Sequence, residues 1–265
     1  MRIWIASLLF LFCFSAISAQ QGLNVVIFGD SNTWLGGDDC SKPRGWNTWF
    51  KKELSPASCR SYARSGATWT NTPSTIINTS ENIGVLGDNN VIYNQTQRLF
   101  DDIKNHRQPE PQLILIMAGT NDVWFNDKRP QVFQSPTLEC PSGEALYALS
   151  PAKALTLADA VSMNVLLLQQ RFPTVRIILL TPMQTTAAPL EDIARAGDII
   201  EDTGRLLSCS VIRMDKDECV SSLAEKLHKR FTADGTHTNE AGARRIGSYV
   251  AQQVKALLEL LTPNS

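Results

Sequence analysis

Val25-Val26-Ile27-Phe28-Gly29-Asp30-Ser31-Asn32-Thr33 organises the chain. An apolar, β-rich run stops at a glycine, and a carboxylate and a hydroxyl follow at once. A buried parallel strand delivers reactive groups to the carboxyl edge of a sheet in this way. Taken alone, Gly-Asp-Ser reads as a strand end whose Asp30 or Ser31 caps the next helix. Its meaning therefore depends on what the rest of the chain sets beside it.

Working outward, apolar runs alternate with helical patterns. Strands are predicted at Asn24–Phe28, Ser58–Ala63, Leu113–Met117, Arg176–Leu180 and Val211–Met214. Helices are predicted near Trp46–Leu54, Thr96–Asn105, Ala152–Arg171, Leu190–Leu207 and Glu240–Leu261, where apolar residues recur every three or four positions. Strand then helix, repeated, argues a parallel sheet of about five strands covered on both faces. Two stretches resist the pattern. Thr70–Asn94 is rich in Asn, Thr and Ser, and Asn126–Ser150 carries three prolines. Loops this long in a compact domain tend to be functional, and both are expected to wall a substrate site.

Before the first strand, Arg2 is followed by the mostly apolar Ile3–Phe14 and then Ser15-Ala16-Ile17-Ser18-Ala19. The run is shorter than the ~20 residues of a membrane span and ends in small residues, the layout of a secretory signal. The expectation is a signal peptide over residues 1–19 and one domain over 20–265, secreted or periplasmic, with no stable membrane span. A retained amino-terminal anchor is the competing reading. Lys and Arg number 25 against 26 Asp and Glu, with no basic block, so nucleic acid is not an expected partner. Beyond Cys13 stand Cys40, Cys59, Cys140, Cys209 and Cys219, without a Cys-x-x-Cys pair or zinc-type spacing. In an exported protein one or two disulfides fit, but sequence leaves the pairing open. Asn78-Thr79-Ser80 and Asn94-Gln95-Thr96 match the N-glycosylation pattern.

Three later points answer the opening stretch: Ala63-Arg64-Ser65-Gly66-Ala67-Thr68 after the second strand, Ala118-Gly119-Thr120-Asn121-Asp122 after the third, and Asp234-Gly235-Thr236-His237 before the last helix. In order and wording these blocks resemble the SGNH hydrolases, the GDSL-type esterases and lipases, from Ile27 to Tyr249. The resemblance implies a single-domain three-layer α/β/α sandwich of flavodoxin-like type and a cofactor-free, metal-free ester hydrolase. It also implies Ser31 as nucleophile, His237 as general base and Asp234 as the acid that orients it. The oxyanion hole would be the Ser31 N–H, the Gly66 N–H and the Asn121 amide. One departure stands out, because the leucine of the family's name is Asn32 here.

Elementary chemistry asks for the same groups. A serine hydroxyl is a poor nucleophile until an imidazole takes its proton, and the imidazole needs an acceptor on its other nitrogen. His106 and His228 sit among charged residues and are expected in solvent, whereas His237 has an acid three residues away. Asp30 is expected to bond backbone donors and shape the turn that presents Ser31. Trp34, Trp46, Trp69 and Trp124 fall close to the blocks. As core residues they need no further account, but on one rim they would suit stacking on a sugar.

Rival readings remain. Asp30, Asp122 and Asp234 could gather a magnesium ion for phosphoryl transfer, although the paired acids and the phosphate loop such an enzyme needs are missing. The Gly-x-Ser-x-Gly elbow of ordinary α/β-hydrolases is missing too. A lysophospholipase or thioesterase, or a non-catalytic sugar- or lipid-binding protein on the same scaffold, stays open. The first expectation is a small-molecule or carbohydrate ester as substrate, acetyl above all, since no long apolar lid is evident.

Overall fold

The computed structural model describes residues 22–80, 90–139, 141, 143–216 and 219–260. The expected signal segment Met1–Ala19, with Cys13, lies outside these residues, as does Cys140. In chain order the elements are β1 (Asn24–Gly29), α1 (Ser31–Trp34), α2 (Trp46–Leu54), β2 (Ser58–Ser61), α3 (Ile92–Lys104), β3 (Leu113–Met117), α4 (Thr120–Trp124) and α5 (Glu144–Tyr147). There follow α6 (Leu157–Arg171), β4 (Arg176–Leu180), α7 (Leu190–Leu206), β5 (Ser210–Ile212), α8 (Ser222–Leu227) and α9 (Glu240–Leu260).

The strands form one parallel sheet in the order β2-β1-β3-β4-β5. Successive β1 side chains point to opposite faces, so each face needs its own cover. Val25 and Ile27, with Leu113 and Leu115 of β3, pack against Trp46 and Phe50 of α2 and Ile246 and Val250 of α9. Val26 and Phe28, with Ile114 and Ile116, pack against α3, α6 and α7 through Leu99, Leu168 and Ile200. This is the three-layer sandwich the sequence implies. Strand order reverses between β1 and β3, where open α/β sheets leave a crevice at their carboxyl ends.

Side chains close the helix ends. Thr156 accepts from Asp159 N at the start of α6, and Ser221 from Ala224 N at the start of α8. The Asn239 side chain accepts from Gly242 N in the first turn of α9.

Three boundaries differ from the sequence reading for physical reasons. Helix α3 begins at Ile92, four residues before the expected Thr96, because Asn94 and Gln95 turn their amides inward to bond Ile76, Asn78 and Gly29. Buried polar residues there hide a helical turn from a hydrophobic pattern. Asn94 is thereby enclosed, so its sequon offers no surface amide for a glycan. Strand β5 ends at Ile212, short of Met214, because the Thr181 hydroxyl takes the Met214 N–H. Helix α6 starts at Leu157 behind a 3-10 turn at Pro151–Lys153.

Helices α2 and α9 touch where Gly247 faces Trp46. A β-carbon at Gly247 would lie 2.3 Å from the Trp46 carbonyl oxygen and 2.6 Å from Trp49 Cβ. Gly247→Ala therefore forces the helices apart. The expected outcome is a loss of about 2 kcal/mol, or roughly 5 °C in melting temperature. An unchanged thermal transition would show that this contact is loose.

Candidate active site

The end of β1 is fixed before any reactive group appears. Gln95 reaches across from α3, accepting from Gly29 N at 2.9 Å and donating to Gly29 O at 2.8 Å. Asp30 N then donates to Met117 O at the end of β3, at 3.2 Å. The Asp30 carboxylate accepts from Asn32 N at 3.1 Å and caps α1, which sets Ser31 at the first helical position. Asp30 is fully enclosed, and desolvation raises its pKa from 3.8 to about 6 against the opposing pull of its hydrogen bonds and of His237.

A second assembly delivers the imidazole. Glu225, buried on α8, accepts from Phe231 N, Thr232 N and the Thr232 hydroxyl. The Thr232 hydroxyl in turn accepts from Gly235 N at 3.0 Å. Gly235 takes φ +95°, a conformation L side chains rarely adopt, and this turn brings Asp234 back under His237. One Asp234 oxygen accepts from the backbone N–H groups of Thr236 and His237, and the other lies 2.7 Å from His237 Nδ1. The hydrogen bonds around it outweigh desolvation and hold Asp234 down at about 2. His237 Nε2 lies 2.9 Å from Ser31 Oγ.

The amide donors lie on the neighbouring strand ends. Asn121, in α4, donates one Nδ2 hydrogen to Ala67 O at 2.9 Å, which orients the group and leaves a second N–H. Asp122 beside it is enclosed and accepts from Trp69 N, Thr70 N and the Thr70 hydroxyl, tying the Gly66 segment to α4. Desolvation nevertheless raises its pKa. The N–H groups of Ser31 and Gly66 make no hydrogen bond among the described residues.

The profile of the GDSL-like lipase/acylhydrolase family matches residues 27–245, which carry every group just described. This chain belongs to that family. It is a carboxylic ester hydrolase by membership. No curated protein sequence matches it. Solved structures share the fold at low identity. A lipase/acylhydrolase from Enterococcus faecalis is 16% identical with a TM-score of 0.51, covering 91% of this chain and 98% of that one. An acetyl xylan esterase, AlAXEase, is 17% identical with a TM-score of 0.51, covering 88% and 99%. A possible lipase from Chitinophaga pinensis is 15% identical with a TM-score of 0.55, covering 89% and 98%.

Within this GDSL-like chain the tryptophans divide. Trp46 and Trp69 are core residues whose indole N–H groups bond Thr33 Oγ1 and Ala118 O. Trp34 is 44% exposed beside Ser31, and Trp124 sets its ring edge-on to His237 at 6.5 Å between centroids. Of the four, Trp124 meets a site residue directly. His106 and His228 are exposed past helix ends. Asp30, Asp122 and Asp234 each bond protein donors, and among the described residues they form no shared ligand cluster. Within Thr70–Asn94, expected as a wall of the site, Asn71 is instead buried in the fold, its N–H donating to Ala154 O and its side-chain amide to Pro151 O; residues 81–89 lie outside the described set.

Three positioning residues escaped the sequence reading. Gln95 and Glu225 carry no motif, and Asn32 was visible only as a departure from the GDSL wording. Its buried Oδ1 accepts from Thr238 N at 3.2 Å, joining α1, which carries Ser31, to the residue after His237. A leucine cannot accept that bond, so Asn32→Leu should lower kcat about tenfold with little change in KM. Steady-state kinetics of the folded variant check this.

Asp30 gives a pH signature. A carboxyl with a folded pKa above its unfolded value holds its proton more tightly when folded, so its stabilising share is full below 3.8 and falls away as pH rises through about 6. The lowered pKa of Asp234 acts oppositely at more acid pH, between about 2 and 3.8. The stability of Asp30→Asn relative to the native protein should therefore rise by about 2 kcal/mol between pH 4 and 7. Denaturant melts at the two pH values measure it, and a pH-independent difference would refute it.

Proposed function

We propose that this chain is an exported serine esterase that releases a short acyl group, acetyl first, from a carbohydrate or similar small ester through an acyl-enzyme on Ser31. The observation that carries the reading is the relay of His237 Nε2 to Ser31 Oγ at 2.9 Å and His237 Nδ1 to Asp234 Oδ2 at 2.7 Å. In it, His237 removes the hydroxyl proton as Ser31 attacks the ester carbonyl. Asp234, ionised across the working range, holds the ring tautomer and stabilises the imidazolium. The oxygen that gains charge is met by the Ser31 and Gly66 N–H groups and the second N–H of Asn121. His237 then protonates the departing alcohol, and water repeats the sequence to free the acid. No cofactor enters these steps.

Several features support the finer points. Arg2, Ile3–Phe14 and the small residues after them support export. Trp124 against His237 and the exposed Trp34 one helical turn after Ser31 support a sugar alcohol. Among the described residues no helix is long and apolar enough to cross a membrane.

A fluorophosphonate probe should label Ser31, as read by peptide mass. Ser31→Ala and His237→Ala should each lower turnover by about 10⁴-fold or more, and Asp234→Asn by less. Asn121→Ala should lower kcat about 10²–10³-fold and move KM far less. Near-native turnover of Ser31→Ala would refute the mechanism. Initial rates on acetylated xylan and on a chain-length series of simple esters test the substrate. A preference for long acyl chains would replace it with a lipolytic one.

A further inference from the structure

Cys40 and Cys59 lie outside everything the mechanism uses, yet their sulfurs touch. Cys40 stands in the loop between α1 and α2, and Cys59 is the second residue of β2, paired with Val25 of β1. Their Sγ atoms are 3.7 Å apart, and both side chains are buried on the face covered by α2 and α9. The backbones on either side are already joined. Two residues before Cys40, Asp38 O accepts from Ser61 N, two residues after Cys59, at 2.8 Å. The Asp38 carboxylate also holds Arg64 through both oxygens, at 2.8 and 3.2 Å. The Sγ separation of 3.7 Å is not far beyond the ~2.05 Å of a covalent bond, and the flanking backbones are already held together by the Ser61 N to Asp38 O bond. Cys209, by contrast, directs its sulfur to the Leu207 carbonyl.

We propose that Cys40 and Cys59 form a disulfide when the chain folds in an oxidising compartment. The bond clasps the loop behind the nucleophile helix to the edge strand that leads to Gly66. The oxidant is a low-molecular-weight or protein disulfide, such as glutathione disulfide. One cysteine thiolate attacks it, forming a mixed disulfide and releasing one glutathione thiol. The second cysteine thiolate attacks the protein sulfur of that intermediate and releases the other glutathione. Two protons and two electrons leave the cysteine pair, and the oxidant's sulfur–sulfur bond is the one broken. In the closed fold the hydrogen bond to Cys40 and burial together hold the Cys59 thiol well above its ordinary range. Thiolate is scarce there, so the bond forms before the core shuts.

The test is a disulfide map of the full chain folded in a glutathione redox buffer. The protein is alkylated in denaturant and digested with trypsin without reductant. The expected product links the peptide ending at Arg44 to Glu53–Arg60 and separates on reduction. The oxidised protein should melt about 5–10 °C above the reduced one. That difference should vanish in the Cys40→Ser/Cys59→Ser double variant. Alkyl label on both Cys40 and Cys59, or Cys59 linked to another cysteine, overturns the proposal. Should the double variant fail to fold, the map of the native chain still decides. Esterase assays on the same samples keep this result separate from the fate of the proposed mechanism.

Discussion

The parallel pairing of β1 with β3 is the constraint on which the site depends. It sets Gly29 opposite Met117, so that segments nearly ninety residues apart end at the same sheet edge. Because β1 continues into α1 and β3 into α4, the hydroxyl of Ser31 and the amide of Asn121 arrive at that edge without any contact between the two helices being needed. β2, on the other side of β1, brings the Gly66 segment to the same level. The sheet thus supplies a hydroxyl and amide donors along one line. What it cannot supply is the imidazole, which enters from the turn ahead of α9.

That division explains what could be read in the chain beforehand. β3 is an unbroken apolar run, and β1 and β4 are apolar after a first polar residue, since a strand covered on both faces tolerates little else; β3 and β4 kept their expected bounds. The first and third blocks were visible because each holds reactive residues just beyond an apolar strand, while the second follows β2 and the fourth stands just ahead of α9. The short helices α1 and α4, four and five residues long, carry too few turns for any periodicity to register. The first turn of α3 was hidden for the opposite reason, its inward face being amide where a core helix ordinarily shows hydrocarbon.

The supporting residues were illegible in principle. Gln95 acts on Gly29 at a separation of 66 residues, and Asn32 on Thr238 at 206. Neither role follows from local propensity, because each is defined by its partner. The same holds for Glu225. A glutamate on a short helix reads as a solvated charge, whereas here three donors converge on it. A buried carboxylate without such donors would be strongly destabilising, so helix α8 and the turn at 231–235 must form together.

The two halves of the site are therefore built by different physics. Ser31 stands at the end of a ladder of backbone bonds sealed by hydrocarbon, while His237 sits in a turn outside the sheet, held by side-chain bonds to Glu225, Thr232 and Asn32 and by backbone bonds such as Ala233 N to His237 O and Thr186 N to Gly235 O. These bonds lie outside the sheet, so weakening them loosens the turn while the strands stay paired. On warming, then, proton transfer should fail as a local event while the scaffold still reads as native by circular dichroism. A heat-stabilised form of this protein would have to be sought around residues 225–238, since added strength in the hydrocarbon layers would leave the weakest joint untouched.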